Sequence, residues 1–193
     1  MAARPSGARV AIYGGSFNPP HVGHVLAVAY ALSAAEVDAV CVVPCFQHPF
    51  AKDLAPFEHR MAMCRAAMGW LPGVTISTVE AELGGESRTK RTLEHLAAAN
   101  PDWSMRLLVG ADILADAPKW HAFDRVVELA PLLVLGRVGA SAPGAPPAVL
   151  PDVSSTEVRR MLAEGRLDEV APLLPRTVLS YVREHGLYGA RAA

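Results

Sequence analysis

An apolar run of four residues, Val10-Ala11-Ile12-Tyr13, stops on Gly14-Gly15 and gives way to Ser16-Phe17-Asn18-Pro19-Pro20-His21-Val22-Gly23-His24. A short apolar run bounded by glycines suits a buried strand. The helical pattern that starts after Pro20 passes through Leu26, Ala29, Tyr30 and Leu32 and is apolar on every face. A buried strand, a glycine turn and a buried helix in succession constrain the chain to an α/β architecture.

The alternation continues. Residues 39–43 read as a second apolar strand ended by Pro44, and 45–55 as a loop carrying Gln47, His48 and Lys52. Pro56 opens a helix through Arg60, Met63 and Ala67 that ends near Gly69. Residues 74–79 alternate as a strand, and 89–100 are helical. A third buried run, 105–109, ends at Gly110. A helical stretch over 112–129 is interrupted at Pro118, and 132–135 form a further strand. Helices over 154–163 and 176–185 close the pattern. This order predicts a mostly parallel, doubly wound sheet covered on both faces, with helices at the C-terminal end. There is no internal repeat, and the length of 193 residues suits one domain over 1–193. Residues 1–8 read as a flexible leader, and the Gly/Pro/Ala-rich stretch 136–148 as a mobile surface loop.

The net charge of −1 carries no basic surplus for DNA or RNA, so an anionic ligand must be bound by a local site. Apolar runs are broken well before membrane-spanning length, which predicts no membrane partner. The N-terminus lacks a secretory pattern. Three cysteines fit a reducing cytoplasm better than a disulfide framework, so the expected location is cytoplasmic. Cys41-x3-Cys45-x2-His48 has no clear fourth ligand, and buried thiols are the simpler reading.

Ligands of parallel α/β sheets collect beyond the carboxyl ends of the strands. The turn after Tyr13 lies at such an end. Gly14 and Gly15 let backbone approach a ligand, and their N–H groups can bind anionic oxygens. The helix start that follows adds partial positive charge. His21 and His24, three apart, face one side of a helical turn, where N–H donors can stabilise charge on a phosphate. Gly23 between them removes a side chain from the approach. Alone, His-x-x-His reads as surface polarity or a helix start. Far away, Ser154-Ser155-Thr156-Glu157-Val158-Arg159 has the Ser-x-x-Glu form of a capping box. Its hydroxyls, free N–H groups and Arg159 can also hold a phosphate.

Together these two segments resemble the (H/T)xGH and SSTxxR signatures of the nucleotidylyltransferase superfamily, in matching order and separation. Within it the chain is most similar to bacterial nicotinate-nucleotide adenylyltransferases. Gly110-Ala111-Asp112 with Pro118-Lys119-Trp120 looks like that family's GAD…P-x-W segment, and the ending from Pro175 to Tyr188 resembles its C-terminal helix. The resemblance spans residues 9–188 and implies a Rossmann-like fold. It implies attack by a mononucleotide's phosphate on the α-phosphorus of ATP, with release of pyrophosphate and formation of a dinucleotide, in NAD biosynthesis. By that resemblance His21, His24 and Arg159 are catalytic. Gly14, Gly15, Ser16, Phe17, Lys52, Gly110, Asp112, Ser154, Ser155 and Thr156 would bind ATP. Asn18, Thr89, Trp120 and His121 would bind the mononucleotide. Mg²⁺ would arrive with ATP, bound to phosphate oxygens rather than by a protein cage. The expected partners are ATP and a pyridine mononucleotide, with a homo-oligomer as a further expectation.

Two segments depart from the family pattern. Its S-Y-T-x-D-T-L appears as Ser87-Arg88-Thr89-Lys90-Arg91-Thr92-Leu93, with Arg88 for Tyr and Arg91 for Asp. That basic pair reads either as a changed substrate preference or as a solvated helix face. The family's P-P-H-K loop appears as Gln47-His48-Pro49-Phe50-Ala51-Lys52. Both lie on the acceptor side, so nicotinamide mononucleotide and phosphopantetheine stay open as acceptors. A nucleotide-binding sensor without transfer chemistry is the alternative of a different class.

Overall fold

The computed structural model describes residues 7–48, 54–115, 120–139, 146 and 150–190. Five parallel strands make one sheet: β1 (Arg9–Gly15), β2 (Ala39–Pro44), β3 (Val74–Ile76), β4 (Ser104–Gly110) and β5 (Leu132–Leu135), in the order β3-β2-β1-β4-β5. The chain leaves β1 on one side to build β2 and β3, then crosses to build β4 and β5. Strand order therefore reverses between β1 and β4, where a parallel sheet opens a crevice at its carboxyl edge.

The helices are α1 (Val22–Ala34), α2 (Phe57–Met68), α3 (Val79–Leu83), α4 (Thr89–Ala99), α5 (Phe123–Leu129), α6 (Ser155–Ala163), α7 (Leu167–Val170) and α8 (Arg176–Glu184). Short 3-10 turns cover Ala111–Ala115 and Leu187–Gly189. Successive strand residues point to opposite faces. Ala11, Val42 and Leu108 pack on one face with Val28, Met63, Val158 and Val178 from α1, α2, α6 and α8. Val10, Ile12, Cys41 and Leu107 pack on the other with Leu93 and Val126 from α4 and α5. The sheet is doubly wound, and every described strand pair is parallel.

Several boundaries differ from the sequence expectation for physical reasons. The strand expected over 74–79 ends at Ile76, and Val79 begins α3, whose first turn Ser77 Oγ supports by accepting the Val79 N–H at 3.2 Å. The expected helix over 112–129 is a 3-10 turn and, separately, α5, with Pro118 outside the described residues. The four-residue α7 falls in a stretch whose length gave no periodic signal. Within α2, Arg60 is only 1% exposed. Cys41, Cys45 and Cys64 are buried free thiols, and burial pushes Cys41 up to about 11. Among the described residues no helix is long and apolar enough to cross a membrane.

Leu93 is fully buried between α4 and the sheet. Leu93→Ala should cost about 3 kcal/mol through lost burial and a residual cavity, read as a lower urea midpoint with an unchanged slope.

Candidate active site

Between β1 and α1 the chain leaves the ladder and bends sharply, and its carbonyls are taken by three other elements. Cys45 N–H donates to the Gly15 carbonyl at 2.8 Å. The Arg60 guanidinium, from α2, donates to the Ser16 carbonyl at 3.0 Å. Arg159 Nη1 donates to the Asn18 carbonyl at 2.7 Å, and Ser155 Oγ to the Pro19 carbonyl at 2.9 Å, both from α6. Phe17 takes a left-handed φ of 46°, which costs a non-glycine residue about 1 kcal/mol. Its ring is buried between Tyr13 and His24, with centroids at 5.5 and 4.9 Å. Gly15 is required beneath it, since a Cβ there would press the Phe17 ring at 3.1 Å.

His21 caps the N-terminus of α1, and His24 sits one turn in. The His21 N–H donates to His24 Nδ1 at 3.0 Å. A neutral His24 therefore carries its proton on Nε2, leaving that N–H as a donor. The two rings lie against each other, centroids 3.8 Å apart and tilted by 31°. Burial, then the Arg137 charge, lowers His21 to about 4. Burial, His21 and Arg137 hold His24 well below the ordinary histidine range. Both imidazoles are thus neutral at pH 7. Gly23 gives the His21 ring room, because a Cβ would meet it at 3.1 Å.

Across the crevice stands the start of α6. Ser154 Oγ accepts the Glu157 N–H at 3.2 Å, which is half of the expected capping box. The other half is absent because the Glu157 carboxylate turns outward to Arg160, at 2.6 Å. Arg159 Nη2 reaches Thr156 Oγ1 at 3.4 Å.

A cavity of about 670 Å³ occupies the space between these elements and the carboxyl ends of β4 and β5. It brings together Gly14, Gly15, Ser16, Phe17, Asn18, His21 and His24 from the first segment with Ser154, Ser155, Thr156 and Arg159 from the last. Gly110, Asp112 and Trp120 complete the β4 side. Gly110 is bare because a Cβ there would collide with Asp112 Oδ1. Asn18 Oδ1 accepts from Ala55 N–H at 3.0 Å and Tyr188 O–H at 2.8 Å, so its carbonyl end faces the structure's own loops. Thr89 and His121 are not among the residues that line the cavity; Thr89 opens α4 and His121 is exposed. Lys52 lies outside the described residues, as do residues 1–6 of the leader and 140–145 and 147–148 of the expected loop.

The structure adds Tyr13 and Arg137 to the lining. Arg137 donates to Asp112 Oδ2 at 3.2 Å, to Asp152 Oδ1 at 3.5 Å and to the Val153 carbonyl. A bridge to Leu150 holds its backbone. A sequence signal existed: Gly136-Arg137 directly follows a buried strand, as Gly110-Ala111-Asp112 follows β4. The Gly/Pro/Ala composition after it masked that signal. The basic pair of the 87–93 segment is placed elsewhere. Arg91 donates to the Leu83 and Gly84 carbonyls at the end of α3, at 2.7 and 2.6 Å, and Arg88 pairs with Glu86 at 2.6 Å.

A histidine of ordinary pKa 6.5 when unfolded and about 4 when folded takes up protons preferentially in the unfolded state between those values. Stability should therefore fall as pH is lowered from 6.5 towards 4. The His21 ring resonance should titrate with a midpoint near 4 by NMR, and Arg137→Gln should raise that midpoint.

A cytidylyltransferase-like family model matches residues 12–161. The chain is 52% identical over 186 residues to a probable nicotinate-nucleotide adenylyltransferase of Anaeromyxobacter dehalogenans (strain 2CP-1 / ATCC BAA-258), covering 94% of this chain and 97% of the relative. It is 45% identical over 187 residues to one from Myxococcus xanthus (strain DK1622), covering 95% and 96%. A Plasmodium falciparum nicotinic acid mononucleotide adenylyltransferase complexed with NaAD shares the fold, with a TM-score of 0.83 at 18% identity over 96% of this chain and 100% of that one. Two segments distant in sequence that meet over one crevice, in a chain this similar along nearly its whole length to those relatives, place it in the nicotinate-nucleotide adenylyltransferase family of nucleotidyl-transferring enzymes.

Proposed function

We propose that this enzyme transfers the adenylyl group of ATP to nicotinate mononucleotide, forming deamido-NAD and pyrophosphate. The observation that carries the reading is the meeting of two helix N-termini, α1 with its histidine pair and α6 with Ser154, Ser155, Thr156 and Arg159, over one cavity. An N-terminus offers unpaired N–H groups and partial positive charge, which suits an extended chain of phosphates. The names of the relatives supply the acceptor.

In the reaction, an oxygen of the mononucleotide's phosphate bonds to the α-phosphorus of ATP. The bond from that phosphorus to the α–β bridging oxygen breaks, and pyrophosphate leaves with the electron pair. A phosphate monoester is largely dianionic at neutral pH, so no base need deprotonate it. Neutral, buried imidazoles fit this: they act as N–H donors to the charge that builds on the phosphoryl oxygens, not as bases. His21 and His24 take that role, Gly14 to Phe17 hold the phosphates with their backbone, and Arg159 with the α6 hydroxyls holds the departing pyrophosphate. Lys52 joins the phosphate-binding set. Asp112 and Gly110 meet the ribose, while Asn18 and Trp120 face the mononucleotide, where the Trp120 indole suits a pyridine ring; Thr89 and His121 stand outside the cavity lining.

Mg²⁺ is the divalent ion of this reading. Asp112, the carboxylate among the described residues that line the cavity, is the side chain that would hold it. When bound it would neutralise charge on the triphosphate and on the departing pyrophosphate. A cytoplasmic location and a homo-oligomeric state belong to the same proposal.

His24→Ala should lower kcat for pyrophosphate release by about 10²–10³-fold with an unchanged far-UV spectrum; an undiminished rate would remove the proposed role. Turnover measured side by side should rank nicotinate mononucleotide above nicotinamide mononucleotide and phosphopantetheine. Preference for either of the others would overturn the acceptor assignment, and ATP binding without pyrophosphate release on any acceptor would favour the sensor.

A further inference from the structure

Arg60 is the largest fully buried side chain among the described residues and does not line the cavity. Its guanidinium donates to the carbonyls of Ala55 at 2.9 Å, Ser16 at 3.0 Å, Cys45 at 2.6 Å and Phe46 at 3.4 Å. Its Cζ lies 5.4 Å from the Phe57 ring centroid. None of the described carboxylates forms an ion pair with it. Glu80 is the charged group nearest in influence, and its oxygens are taken by the Phe46 N–H and the Thr92 hydroxyl. A guanidinium keeps its proton even when burial lowers its pKa, so a whole positive charge sits here among carbonyl dipoles.

The position of that charge follows from peptide geometry. The 15–16 and 16–17 peptide units are trans, so each carbonyl points opposite to the N–H of the next residue. Cys45 N–H holds the Gly15 carbonyl and Arg60 holds the Ser16 carbonyl, both behind the turn. The Ser16 and Phe17 N–H groups are therefore directed the other way, into the cavity that these two residues line. Neither N–H donates a hydrogen bond to a described residue. Through Ala55 the same guanidinium also braces Asn18, because the Ala55 N–H donates to Asn18 Oδ1.

We propose that Arg60 is a positioning residue for the triphosphate: it aims the Ser16 and Phe17 N–H donors at the phosphates and supplies, from behind them, a positive charge that is held by carbonyls and paired with none of the described carboxylates. The inference rests on the reading of this cavity as an ATP site. It explains why a cation is buried at the cost of desolvation.

The test compares Arg60→Gln and Arg60→Lys with the wild-type protein in binding ATP, by calorimetry, and adenosine, by ligand-observed NMR. A residue that acts on the phosphate turn affects only the ligand with phosphates, whereas a merely structural residue affects both. Arg60→Gln should weaken ATP binding by about tenfold or more and leave adenosine within about twofold. Arg60→Lys, which keeps the charge but cannot span all four carbonyls, should fall between. In steady state the KM for ATP should rise more than the KM for the mononucleotide, to which the guanidinium is linked only through Ala55 and Asn18. Equal losses for ATP and adenosine, or unchanged ATP affinity in a folded variant, would overturn the proposal. If Arg60→Gln fails to fold, Arg60→Lys is judged by the same two affinities. Wild-type protein that binds ATP but releases no pyrophosphate would sink the transferase reading and leave this one standing.

Discussion

Four carbonyls that must not face the ligand organise this site. Where the chain turns from β1 into α1, the Gly15 oxygen stands at the end of the ladder, and those of Ser16, Asn18 and Pro19 have left the sheet and have no helix to enter. Left unpaired and buried they would each cost on the order of 1–3 kcal/mol. Donors from the end of β2, from α2 and from α6 satisfy them all. The Gly15 and Ser16 carbonyls point opposite to the next residue's N–H, so satisfying those two oxygens on the far side leaves the Ser16 and Phe17 donors on the near side, whereas Asn18 and Pro19 are each followed by a proline that has no N–H. The hydrogen bonds that stabilise the turn also prepare it for an anion. They tie α2 and α6, distant in sequence, to one strand end.

The histidines depend on this frame. Their low proton affinity follows from burial under the turn and from Arg137, and for His24 also from the His21 ring beside it. Binding a polyanion beside them would reverse the second effect, since the new negative charge offsets Arg137 and favours the protonated ring. The free protein therefore holds neutral donors, and proton affinity rises only when phosphate arrives. The pair can then follow the charge on its ligand.

Strand and helix order was legible in the sequence because buried parallel strands read as unbroken apolar runs, and β5 was found at its observed bounds. The two segments that meet at the cavity were legible because helix starts carry local signatures. Arg60 and Arg137 were partly hidden for opposite reasons. Arg60 lies in a helix whose polar and apolar residues gave no clear face, so its burial by contacts many residues away left little local trace. Arg137 opens a Gly/Pro/Ala-rich stretch that resembles a surface loop. The 87–93 segment shows the reverse. Arg91 stands where a substrate contact was in question, yet a short preceding helix that sequence reading missed, α3, needs its last carbonyls capped, and Arg91 does so.

The partners of each arginine decide which ones project a field into the cavity. On α6, Arg160 points outward and shares Glu157 and Glu164, and Arg166 shares Glu164 and Glu169. Those cations are matched by neighbouring carboxylates and exposed to solvent, so little of their field reaches the crevice. Arg159, one residue before Arg160, is instead held by the Asn18 carbonyl, and Arg60 by carbonyls alone. A carbonyl fixes a guanidinium in place without cancelling its charge. A chain of net charge −1 can in this way keep a strongly positive crevice, by giving its carboxylates to surface arginines and its backbone oxygens to those near the ligand. Arg137 is the intermediate case, shared between Asp112, Asp152 and a carbonyl. Of the three it is the one whose charge a ligand could release, by drawing Asp112 to a ribose hydroxyl.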